Sequence, residues 1–160
     1  MRRLGLLVAL GVAVLATAAI AGGAVRAAAG PEGVKITPLA HGTLAKTHAK
    51  GQGIDIRTNG VKDMLITAIR VAPGGSFGWH THPGPVLVAV SKGTLDVYEP
   101  DGKGGCAHAT VGAGDAFVEG GGHVHLASNK GSTPVELNAT FLARHGTTSF
   151  LKTVPQPAGC

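Results

Sequence analysis

The residues with the clearest chemical potential are three histidines. His80 and His82 flank Thr81. On an extended strand, side chains two apart point to the same face, so both imidazoles project to one side, close enough to share a metal ion. His125 lies far along the chain within the apolar triplet Val124-His125-Leu126 and offers a third ligand from another strand. Imidazole is mostly neutral at pH 7 and suits iron, zinc, copper and nickel better than magnesium or calcium. An isolated His-x-His pair proves little, because such pairs are commonly surface histidines. Two neighbours are candidate catalytic groups. Glu119 could reach the site as a general base or substitute ligand, its plainer reading being a rim or turn carboxylate. His123, two residues before His125, either shares the inward face as a donor or substrate contact or sits in the loop after three glycines. His41, His48, His108 and His145 have no partner spacing and read as solvated. Trp79 reads as packing on the opposite face from the ligands, and Asn129 as a strand end satisfying backbone groups of the next turn.

Short strands separated by turns must position these residues. Val34 to Ala40 reads as an edge strand weakened by Pro38, and His41 to Gly53 as a loop or irregular strand. Ile54 to Arg57 alternates and is followed by the Asn59-Gly60 turn signal. Asp63 to Ala72 ends at Pro73-Gly74-Gly75, Phe77 to His82 follows, and Pro83-Gly84-Pro85 breaks the chain again. Val86 to Val90 is nearly continuous in apolar residues, as expected of a strand covered on both faces. Further strands are expected at Thr94 to Glu99, Ala107 to Val111, Ala116 to Val118, Val124 to Ser128, Val135 to Leu142 and Thr148 to Val154. Gly is abundant, with 26 residues, while aromatics make up 4%. This punctuation predicts an all-β sandwich or barrel in a single domain over residues 34–154.

The spacing around the histidines resembles the cupin superfamily. Its first motif, G-x5-H-x-H-x3-4-E-x6-G, is matched by Gly74, His80, His82 and Gly93, spanning residues 74–93. Its second, G-x5-P-x-G-x2-H-x3-N, is matched over 114–129 by Gly114, Gly122, His125 and Asn129, with Gly120 in place of proline. The resemblance implies a double-stranded β-helix, or jelly-roll barrel, with a metal near one mouth held by His80, His82 and His125. One departure bears on chemistry: Val86 stands where the family carries its glutamate, and Pro85 and Leu87 beside it offer no ligand atom. Three neutral histidines without that carboxylate resemble the sites of some thiol and diketone dioxygenases of the superfamily, and also the ligand set of catalytic zinc. The departure disfavours manganese chemistry of the oxalate type. The expected cofactor is a divalent transition metal, Fe(II) first, with zinc, copper, nickel and manganese as alternatives. Two functional classes follow: an iron(II)-dependent dioxygenase-like enzyme, and a non-catalytic module that captures a metal or small ligand. A homodimer through sheet edges is expected by analogy.

The first 29 residues read as signal peptide and leader. Arg2 and Arg3 precede an apolar stretch from Leu4 to about Ile20. Ala19-Ile20-Ala21 fits a signal-peptidase site, and Ala27 to Ala29 offers a second one. Gly22 to Gly33 reads as flexible. Export is the expectation, with an uncleaved membrane anchor as the lesser alternative. The whole chain carries 14 basic and 9 acidic residues. Setting aside Arg2, Arg3 and Arg26 leaves 11 against 9, an excess of only two. The remaining Lys and Arg are scattered singly, which argues against nucleic acid as a partner and leaves a small molecule. Cys106 and Cys160 are the two cysteines, and an oxidising compartment would permit a bridge between them.

Overall fold

The computed structural model describes residues 28–160, so the signal-segment reading falls almost entirely outside the described residues. Among the described residues eleven strands run in chain order: β1 (Glu32–Leu44), β2 (His48–Gly51), β3 (Ile54–Arg57), β4 (Lys62–Thr81), β5 (Val86–Lys92), β6 (Thr94–Pro100), β7 (Cys106–Gly112), β8 (Ala116–Glu119), β9 (His125–Ser128), β10 (Val135–Arg144) and β11 (Lys152–Thr153). The fold is all-β, a double-stranded β-helix.

Strand β4 is the spine. Its first half pairs antiparallel with β1 on one side and β10 on the other, and β5 and β8 extend that layer beyond β10. Its second half pairs with β9 and β11, and β6 and β7 continue beyond β9. One strand can serve two layers because Pro73-Gly74-Gly75 bends it. Gly74 has φ of 74°, in the left-handed region where a side chain is strained. The sequence places two strands here, broken at this tripeptide. The structure keeps one, because the bend turns the strand without ending its pairing.

The core lies between the layers. Val71, Val86, Leu95 and Val135 are essentially inaccessible, and Ile69, Phe77, Val88, Val90, Leu137 and Phe141 pack with them. Burying each aliphatic side chain contributes about 1.5–3 kcal/mol. Strand β5 departs from expectation. Val86, Val88 and Val90 point into the core, whereas Leu87 is 46% exposed. The apolar run thus has one buried face, because β5 belongs to a single layer. Strand β1 is longer than expected and takes in His41, and the pair β2–β3 forms its own small exposed ribbon. The C-terminal strand shrinks to Lys152–Thr153. The leader is not free to its end: Gly33 is already in β1, and the Ala29 carbonyl lies where a side chain on Gly78 would have to be.

Cys106 and Cys160 form a disulfide, with Cα atoms 4.9 Å apart. It fastens the end of the chain to the start of β7.

Two glycines join the segments that carry the ligands. Gly84, in the loop before β5, packs so closely that a Cβ would sit 2.0 Å from the Leu142 carbonyl oxygen, and a Cβ on Gly121 would be 2.9 Å from the Gly84 Cα. The Gly122 amide donates to the His82 carbonyl in the same contact, at 2.8 Å. Gly84→Ala is expected to cost at least about 1–3 kcal/mol, since backbone cannot yield as a side chain does. A urea melt of the variant coincident with the parent's would contradict this packing.

Candidate metal centre

The bend in β4 and the pairing of β4 with β9 assemble the site. His80 and His125 are direct cross-strand partners, with ring centroids 4.3 Å apart. His82 follows just beyond the end of β4, its ring 4.8 Å from that of His80. All three are buried, at 2%, 5% and 3% exposure, which is exceptional for a cluster of polar rings. Their ligand nitrogens lie within 4.8 Å of one another.

Backbone carbonyls set the orientation of each ring. Nδ1 of His80 lies 2.9 Å from the Gly78 oxygen, Nδ1 of His82 lies 2.6 Å from the Phe150 oxygen, and Nδ1 of His125 lies 3.2 Å from the His123 oxygen. A carbonyl only accepts, so each Nδ1 carries the proton and donates. That leaves each Nε2 for the centre of the cluster, the arrangement by which proteins orient metal-ligating histidines.

Glu119 ends β8 and enters the same space. Its Oε2 is 3.2 Å from Nε2 of His82, and its Oε1 is 3.1 Å from Nε2 of His125. The side chain is only 11% exposed, which overturns the plainer reading of a rim carboxylate. The side chain follows the inward face of β8 toward the histidines, although three glycines succeed it. Nε2 of His125 is buried with no hydrogen-bond partner, the Glu119 oxygen 3.1 Å away not being placed in hydrogen-bonding geometry with it. Such an orphaned nitrogen fits a cation-binding role. Both carboxylate–imidazole contacts are short enough for these groups to hold one cation together.

The electrostatics agree. Burial, then the facing His125 ring, drives the His80 pKa down to about 4, so this imidazole is neutral near pH 7. Burial opposes the charge on Glu119, but His125 and His82 beside it hold its pKa down to about 2. Burial likewise opposes charge on His125, and the adjacent Glu119 carboxylate more than offsets it, leaving its pKa raised.

Two cavities meet at the cluster. One, about 330 Å³, lies inside the barrel and is walled by Leu65, Val88, Leu137, Phe141 and Phe150, with His80 and His82 at its polar end. The other, about 250 Å³, opens between β6, β7 and β8 and includes Glu99, His108, His123 and His125. Phe117 and Glu119 line both.

His123 is exposed and stands outside the three-nitrogen cluster, contributing its carbonyl to His125. His48 contacts Asp55, His108 contacts Asp96, and His145 contacts Asp63, all through at least partly exposed rings. Asn129 is buried, donating to the carbonyls of Val71 and Thr133 and accepting from the Gly131 amide. Trp79 is buried. No residue pattern marks the Phe150 carbonyl, because a main-chain acceptor has no residue signature. Nor does one mark Thr148 to Leu151 as cavity wall.

Residues 68–141 match the family model of the cupin domain. A germin-like protein 5-1 of Oryza sativa subsp. japonica is 36% identical over 91 residues, 56% of this chain, and the chain spans 41% of that relative's length. Among solved structures, a double-stranded β-helix domain protein from Klebsiella pneumoniae superposes with a TM-score of 0.47 at 20% identity, covering 58% of this chain and 76% of its own. An oxalate decarboxylase from Bacillus subtilis gives 0.49 at 18% identity, over 57% of this chain and 24% of its own.

Proposed function

We propose that this chain, whose residues 68–141 match the family model of the cupin domain, binds a divalent transition metal through His80, His82 and His125 and receives a small molecule beside it. The observation that carries this reading is the common orientation of the three rings, each Nδ1 engaged by a carbonyl and each Nε2 left for the centre. We read the protein further as an iron(II)-dependent dioxygenase-like enzyme, in which the bound metal would supply Lewis acidity and a site for dioxygen.

The protein's own groups define what it would take. The inner cavity is walled mainly by aliphatic and aromatic side chains, which exclude water from the polar end where the imidazoles sit. Among the described residues, no Lys or Arg lines either cavity. An anionic substrate would therefore lack a protein cation to neutralise it. The reading favours a largely apolar molecule bearing one acidic oxygen or sulfur, such as a phenol, an enolisable diketone or a thiol. The carbonyls of Gly78, Phe150 and His123 keep the rings in place while it binds.

The second reading, capture of a metal or ligand without turnover, is favoured by the inner cavity. Apart from His80, His82 and Glu119, no titratable side chain lines it. Oxygen consumption by iron-loaded protein across thiols, diketones and phenols decides between the two. Turnover lost in His125→Ala is expected for the enzyme. Stoichiometric metal with no oxygen uptake on any of the three would leave the capture reading. The apolar N-terminal stretch and the disulfide support export, where such bonds persist.

A further inference from the structure

We propose that Glu119 is a fourth protein ligand to the metal, replacing from β8 the carboxylate that Val86 lacks on β5. The proposal rests on the metal-binding reading above and goes beyond its three histidines. The β5–β8 register carries it: Val86 and Glu119 are directly opposed cross-strand partners. Opposed residues of an antiparallel pair put their side chains on the same face, with Cβ atoms about 5 Å apart. A carboxylate can therefore leave one position, reappear at the other and still enter the same space. Both residues line the inner cavity. Valine at 86 is 1% exposed and fills with methyl groups the volume that a second acid would otherwise occupy.

The contacts of Glu119 assign the role. One oxygen meets Nε2 of His82 and the other Nε2 of His125, at 3.2 and 3.1 Å, so the carboxylate addresses the metal-facing edges of two rings. Among the described residues no Lys or Arg reaches it. It is a buried negative charge whose partners are imidazoles, and a divalent cation between them would complete its neutralisation. With this ligand the site holds three neutral nitrogens and one anionic oxygen. The net charge of the loaded centre falls from +2 to +1, and the donor set becomes more hospitable to harder ions such as Mn(II) and Fe(II).

The test compares Co(II) binding to the full protein, Glu119→Gln and His125→Ala, by chelator competition and by visible absorption of the bound ion. Glutamine keeps the size of the side chain while removing its charge. We expect Glu119→Gln to bind Co(II) about 10- to 100-fold more weakly, with an altered absorption spectrum, and His125→Ala to bind none. Unchanged affinity in Glu119→Gln, with binding still lost in His125→Ala, would overturn the fourth ligand and leave the three-histidine site standing. Weakened affinity with an unchanged spectrum would also overturn it, placing Glu119 outside the coordination shell. Failure of the parent protein to take up Co(II), Zn(II) or Fe(II) would overturn both readings.

Discussion

His125→Ala, and more completely the double variant His80→Ala/His125→Ala, is expected to purify without metal, while the parent carries close to one equivalent. These two rings face each other across the β4–β9 pair, so the double variant removes both nitrogens supplied by that ladder. The loss in affinity should exceed the roughly 10- to 100-fold that follows changes to groups merely supporting a ligand. Folding should survive, because Val71, Val86, Leu95 and Val135 still fill the core once the rings are removed. Thermal unfolding with and without added metal gives a second measure. Saturating ion should raise the Tm of the parent and leave that of the double variant unmoved. Equal metal content in parent and double variant would remove the histidines from the coordination account.

Cys160→Ser is expected to lower stability by about 2–4 kcal/mol. The bridge closes a loop with a sequence separation of 54, for which chain-entropy reasoning gives about 4 kcal/mol as an upper figure. In a domain of this size that is a fall in Tm on the order of 10 °C. A local effect should accompany it. The segment ending at Cys160 includes Phe150, whose carbonyl holds the His82 ring, and β11, which pairs beside His80. Metal affinity should therefore weaken in the variant and in reduced parent protein, although neither change touches a ligand. Calorimetry on oxidised and reduced samples measures the first effect and chelator competition the second. Coincident melts would show that the tail is held by its packing alone.

Much of the architecture was legible because particular residues have few alternatives. Gly74, Gly93, Gly114 and Gly122 of the two motifs all adopt positive φ, which explains physically why the spacing resemblance pointed to this fold. His80 and His82 were legible through strand periodicity, and their meeting with His125 through the resemblance, since periodicity cannot pair distant strands. The length of β4 was hidden, because Pro73-Gly74-Gly75 is locally indistinguishable from a strand end. The one-sided burial of β5 was hidden for a related reason: an apolar residue at Leu87 is compatible with exposure or burial. Glu119 was visible as a candidate for the site, weighed against a rim carboxylate. Its place depends on register with Val86, which only the assembled β5–β8 pair reveals.

The cluster stands where two cavities meet, with Phe117 and Glu119 as the shared partition. His80 and His82 border the inner one and His125 the outer one. A bulky molecule filling the apolar interior would leave the outer side free for a small second molecule. Were each cavity to admit its own molecule, neither would have to wait for the other. An inhibitor shaped for the interior would accordingly compete with the larger molecule and leave the outer side open to the smaller one.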